Sequence, residues 1–100
     1  MEFFGLHHFA GHLNESFDVM LDNEGRASFV LVEARPLPPS GAAMPGLVRE
    51  PFSLLFRNES AILLPQKVYA MTHGSLGQFG IFLVPVARDR DGFIYQAVFN

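Results

Sequence analysis

One hundred residues with 49% apolar and 17% charged side chains fit a single folded domain and exclude disorder, because a chain of this size supports one core. A net charge of −3, with seven basic residues scattered along the chain, argues against nucleic acid as a partner, since phosphate binding needs a clustered positive stripe. The absence of cysteine removes disulfides, thiolate metal sites and cysteine nucleophiles together.

The N-terminal segment, residues 1–14, places Leu6, Phe9, Ala10 and Leu13 at the i, i+3, i+4, i+7 spacing of one helical face, and Gly5 and Gly11 limit it to a short helix within Phe4 to Leu13. Phe17, Val19 and Leu21 then alternate with Ser16, Asp18 and Met20, the period of a strand with one buried face, and Asp22 to Gly25 makes a turn. From Ala27 to Arg35, Phe29 and Leu31 fall on one face and Val30, Val32 and Ala34 on the other, which predicts a central strand covered on both sides.

Residues 36–50 hold four prolines and two glycines and read as a loop. It is either a surface excursion tacked down by Leu37, Met44, Leu47 and Val48, or a binding arm.

Strand patterning resumes with Phe52, Leu54 and Phe56, breaks at Asn58-Glu59-Ser60, and returns at Val68 to Thr72 after Leu63-Leu64-Pro65. His73-Gly74-Ser75 closes that strand. Residues 78–100 read as a hairpin turning at Arg88 to Gly92 and running to the last residue. Eleven phenylalanines, with two tyrosines and no tryptophan, suit pleated surfaces. With no helical pattern long enough for a crossover, the fold class is mainly β: a small antiparallel barrel or sandwich of about six strands with a short N-terminal helix. No stretch is long and apolar enough for a membrane span, and the N-terminus lacks the pattern of a Sec leader, so synthesis into the cytoplasm is expected, with export by another route left open.

Few residues carry chemistry. His8 and His12 have the spacing of a two-histidine metal motif, but a site needs three or four ligands and no carboxylate or cysteine shares that turn, so they read as surface histidines unless the fold brings up His7 or His73. Asp89, Asp91 and Gly92 resemble the start of a calcium loop, yet the later ligands are missing and Asp-Gly is a common hairpin turn. Asn14-Glu15-Ser16 and Asn58-Glu59-Ser60 match the glycosylation pattern and read as turns. No phosphate loop and no convergent acid, base and nucleophile set is visible, so the expectation is a protein that is no enzyme and uses no metal or other cofactor.

The anomaly lies in Phe79 to Val86, where Phe79, Ile81, Leu83 and Pro85 would face one side and Phe82, Val84 and Val86 the other. Pro85 cannot donate to a ladder and pushes this strand toward an edge or a bulge. An edge strand apolar on both faces needs a cover, from the N-terminal helix, the Pro-rich loop or another subunit. The interface candidates are Phe3, Phe4, Leu6, Phe79, Ile81, Phe82, Leu83, Val84, Pro85, Phe93, Tyr95 and Phe99.

Pro51 to Arg57, Leu63-Leu64-Pro65-Gln66 with Tyr69 and His73, Phe82 to Val86, and Asp91-Gly92-Phe93-x-Tyr95-x-Ala97-Val98-Phe99-Asn100 together resemble a family of small, functionally uncharacterised bacterial domains. The resemblance covers most of residues 9–100 and brings no catalytic residue with it. Asn14 stands where members often carry glycine, and the Gly41 to Gly46 segment is longer than usual. Genes of that family often stand near those for phage-tail-collar-type fibre proteins, which implies by association a role in a fibre or tail-like assembly. The expected function is a structural or interaction module that self-associates, or docks onto a fibre protein, through apolar strand edges. The alternative is a small-ligand or carbohydrate-binding β domain using the Pro-rich loop with Tyr69 or Tyr95.

Overall fold

Six strands and one helix account for most of the residues described by the computed structural model, which are 4–22, 25–38, 51–60 and 63–99. In chain order they are α1 (Leu6–Ala10), β1 (Ser16–Met20), β2 (Arg26–Pro36), β3 (Phe52–Asn58), β4 (Lys67–His73), β5 (Gly77–Asp89) and β6 (Gly92–Phe99). β1-β2-β3 and β4-β5-β6 are each an antiparallel meander, joined by short turns except between β2 and β3, where the long 36–50 loop makes the connection. Antiparallel pairing of β1 with β4 and of β3 with β6 joins the meanders into a closed barrel in the order β1-β2-β3-β6-β5-β4. Of the two architectures expected from the sequence, the barrel is the one formed.

Period-2 alternation places Phe17 and Val19 of β1, Phe29 and Leu31 of β2, Phe52, Leu54 and Phe56 of β3, Tyr69 and Met71 of β4, Ile81 and Leu83 of β5, and Tyr95 and Ala97 of β6 in the interior. The middle strand of each meander carries a register shift, between Leu31 and Glu33 in β2 and between Pro85 and Ala87 in β5. Such bulges bend and twist a strand, which lets a six-strand sheet close on itself. β2 has a fully buried inner face and a half-buried outer one, Val30 and Val32, so its two-sided cover is partial.

Pro85 sits at a bulge and not at a sheet edge. β5 changes partner along its length, pairing Gly77 to Leu83 with β4 and Val84 to Asp89 with β6, and the missing N–H falls where the ladder shifts. Every described strand therefore has a hydrogen-bonded neighbour on both sides, and strand addition finds no free edge strand among them.

The helix covers Phe79 near the start of β5. A five-residue helix has no stability of its own, and α1 is held by Phe9, which is fully buried and lies 5.9 Å from Phe79, 5.7 Å from Phe99 and 6.0 Å from Phe52 between ring centroids. Phe4 packs on Phe79 at 5.0 Å beside it. The helix ends at Ala10, earlier than the apolar spacing suggests, so Leu13 stays 43% exposed. Gly11 caps it, and His12 to Asn14 turn the chain into β1.

Asn14 makes that turn with φ of +69°, and its N–H donates to the Leu31 carbonyl at 2.7 Å. Asparagine and glycine tolerate this left-handed conformation, whereas a β-branched residue does not. Asn14→Gly is expected to leave the urea unfolding midpoint nearly unchanged, and Asn14→Val to cost about 1–2 kcal/mol. Equal midpoints for the two variants would contradict this account.

The base of the 36–50 loop is fastened by pairing of Pro36 with Phe52 and by the Leu37 N–H donating to the Pro51 carbonyl at 3.0 Å. The rest of that loop, and with it the binding-arm reading, lies outside the described residues.

Candidate functional site

The end of the barrel beside α1 gathers three side chains that the sequence keeps far apart. His12 follows the helix, Glu15 precedes β1, and His73 is the last residue of β4; their donor atoms all lie within 4.8 Å of one another. Glu15 Oε1 accepts from His12 Nδ1 at 2.9 Å and from His73 Nε2 at 2.7 Å. The Glu15 backbone is fixed by its carbonyl accepting the Leu31 N–H at 3.1 Å. His73 is only 8% exposed and its ring lies 4.4 Å from Phe17 and 4.5 Å from His12.

The Ser75 N–H donates to His73 Nδ1 at 3.1 Å, which leaves the ring proton on Nε2, facing Glu15. By itself this arrangement is a clamp joining the α1–β1 turn to the β4–β5 turn. His8, the other half of the sequence motif, is used elsewhere: its Nδ1 accepts the Gly5 N–H at 2.8 Å at the start of α1.

The imidazoles hold the Glu15 carboxyl below its ordinary value of 4.5, the His73 hydrogen bond contributing most and His12 next, against a desolvation that raises it. A carboxyl depressed in the folded state stabilises the fold above its unfolded value and stops doing so as pH falls through the folded one. The stability advantage of wild type over Glu15→Gln is therefore expected to be full above about pH 4.5 and to shrink below it. Denaturant midpoints across an acid series measure it; a gap independent of pH would refute the assignment.

At the opposite end, Asp89 and Asp91 serve the hairpin turn. Asp89 Oδ1 accepts the Asp91 N–H at 2.9 Å and Oδ2 accepts from Arg57 Nη2 at 3.1 Å, and the Asp91 N–H is the main reason the Asp89 carboxyl lies below its usual value. Arg57 reaches Asp89 through Nη2, and its Nε is buried without a hydrogen-bond partner. Arg57 lines an open groove of about 620 Å³ on the barrel wall with Arg26, Ser28, Val30, Asn58 and Leu64. Asn58 is buried there, donating from Nδ2 to the Ser28 carbonyl at 3.0 Å and accepting the Ser60 N–H at 3.1 Å, so the second glycosylation-type triplet is a turn built on its asparagine.

The interface candidates divide sharply. Ile81, Leu83 and Tyr95 belong to the core, a correction to their reading as contact residues: β5 and β6 are curved into a barrel, and its inner face takes every second side chain. Phe4, Leu6, Phe79, Phe93 and Phe99 are partly buried against that core. Val84 and Pro85 are half-buried, and Phe3 lies outside the described residues. Of the eleven candidates among the described residues, Phe82 is the exposed one, at 47%. Neither tyrosine is free to receive a ligand: the Tyr69 hydroxyl donates to the Pro65 carbonyl, and the Tyr95 hydroxyl accepts the Leu64 N–H at 2.9 Å.

Phe82 is not isolated. Its cross-strand partner Val68 is 63% exposed, and Val98 on β6 is 47% exposed on the same outer side. Val84, paired with Gln96, continues the face along β5, and the Ala70–Gly80 pair extends it along β4. None of these residues is charged. In the strand pattern Val68 and Val98 are ordinary members, and the signal that sets them outside is their alternation with the buried Tyr69 and Ala97.

Among the described residues, no helix is long and apolar enough to cross a membrane. No curated protein and no solved structure matches the chain. The family described as a domain of unknown function (DUF6916) matches residues 4–99, a span that contains all seven elements of the barrel, and the chain belongs to that family.

Proposed function

We propose that the protein is a non-enzymatic structural or interaction module that self-associates through the outer face of β4, β5 and β6. The observation that carries this reading is the uncharged apolar pair Val68 and Phe82, exposed opposite one another on β4 and β5, with the half-buried Val84 next along β5 and Val98 exposed on the outer side of β6. Singly exposed apolar residues are ordinary, but a contiguous group on a rigid sheet marks a contact surface. Two copies can lay such faces together as packed sheets do, and the face carries no charge that would have to be desolvated. The contact is by side chains, in place of the backbone edges expected from the sequence.

Full burial of a Val or Phe side chain contributes roughly 1.5–3 kcal/mol, and these are already half covered. The face alone falls short of the roughly 800 Å² per partner of a stable interface. Association is therefore expected to be weak and to rise with concentration, and docking onto a fibre or tail-like assembly would use the same face with a partner that adds area. Sedimentation velocity over a concentration series tests the proposal: wild type shifts to faster-sedimenting species and Phe82→Glu does not. A wild-type protein that stays monomeric and free of filaments at high concentration refutes it.

A small-ligand role is the second reading, favoured by the groove beside Arg57 with its unpartnered Nε. Calorimetric titration with small carboxylates tests it, and absence of heat at millimolar ligand ends it.

A further inference from the structure

We propose that His12, Glu15 and His73 form a binding site for a divalent transition-metal ion, with zinc the ion that the donor set fits. Two imidazole nitrogens and one carboxylate oxygen are the ligand types of three-ligand zinc sites, which keep a fourth position for water. Softer thiolate donors are absent from the chain, and the hard all-oxygen sets that calcium and magnesium require do not surround this cluster among the described residues.

The geometry is close to that of a loaded site. Zinc at about 2.0–2.2 Å from each ligand holds its donors roughly 3.3 Å apart. Here Oε1 lies 2.9 Å from His12 Nδ1 and 2.7 Å from His73 Nε2, so these two pairs have to open by about half an ångström, while the two imidazole nitrogens, within 4.8 Å of one another, have to settle at about the same 3.3 Å for an ion to sit between all three. The three ligands come from separate places, the turn after α1, the start of β1 and the end of β4, and their backbones are pinned by the barrel. His73 is nearly buried against Phe17, which fixes its ring before any ion arrives.

Charge and proton bookkeeping are consistent. Glu15 is a carboxylate at neutral pH. To coordinate, His12 carries its ring proton on Nε2 and His73 on Nδ1, the reverse of the hydrogen-bonded arrangement. The proton on His73 Nδ1 displaces the Ser75 N–H, and Ser75 lies in an exposed turn where water takes over that hydrogen bond.

The ion would lock the α1–β1 turn to the β4–β5 turn more firmly than the shared carboxylate does. This inference is independent of the contact face on β4, β5 and β6. The test is titration of the full chain with zinc against a chromogenic chelator, together with the visible spectrum after cobalt loading. Expected are one saturable zinc per chain, a four-coordinate cobalt band, and a thermal midpoint that rises with zinc. His12→Gln and Glu15→Gln are each expected to weaken binding about tenfold or more and to abolish the cobalt band, while His7→Gln changes neither. His12 is partly exposed and lies in the turn outside the strands, so its variant is expected to fold even if His73→Gln does not. No saturable binding below millimolar zinc overturns the proposal, and so does equal binding by wild type and His12→Gln.

Discussion

Gly92→Ala is expected to be among the most damaging single substitutions in the chain, costing on the order of 4 kcal/mol or more. Gly92 opens β6 with φ of +141°, where side-chain-bearing residues are strained. A Cβ there would lie 2.1 Å from the Asn58 carbonyl oxygen and 2.8 Å from the Glu59 Cα. Both are backbone atoms, and Asn58 is itself tied to Ser28 and Ser60, so the obstacle cannot rotate aside. For a domain of this size that loss is a large part of the total stability. Gly77→Ala is the control: its φ is +77° but nothing lies within 4 Å of its Cβ, so only the conformational cost of about 1–2 kcal/mol applies. Chemical denaturation of the two variants measures the difference, and equal midpoints would refute the steric account.

Phe9→Ala carries the second large effect, a loss of about 3–5 kcal/mol. The Phe9 ring is fully buried between β5, β6 and β3, and it is the one fully buried side chain of α1. Its removal leaves a cavity and also releases a helix too short to persist undocked. Faster amide exchange at His8 and His12, whose N–H groups donate to the Gly5 and Phe9 carbonyls, is expected along with the lower midpoint. Leu13→Ala, at the position where the helical spacing predicted a fourth core contact, is expected to change stability by less than about 0.5 kcal/mol. If Leu13→Ala were as damaging as Phe9→Ala, the helix would extend further than Ala10.

The strands were legible because their side chains obey the alternation that one buried face imposes. Phe17 and Val19, Phe52 to Phe56, and Ile81 and Leu83 alternate as a two-residue period demands, and the hairpin turn is written in Asp91-Gly92. Period alone also overstated α1, because Gly11 and the left-handed Asn14 end the helix before Leu13 can join its face. It could not say which apolar residues of β5 and β6 reach a partner. Curvature decides that: once the sheet closes, Ile81, Leu83 and Tyr95 fill the interior and Phe82, Val68 and Val98 are left outside.

The sequence by itself determined a mainly β chain of six strands with a short helix ahead of them, its turns, and most of its core, since these follow from interactions between near neighbours along the chain. Only the tertiary structure decided that the sheet closes, that Phe9 of α1 packs on Phe79 at the start of β5, and that His73 meets Glu15 across 58 positions. Those outcomes depend on which strands pair at long range, β1 with β4 and β3 with β6, and no local period encodes that choice.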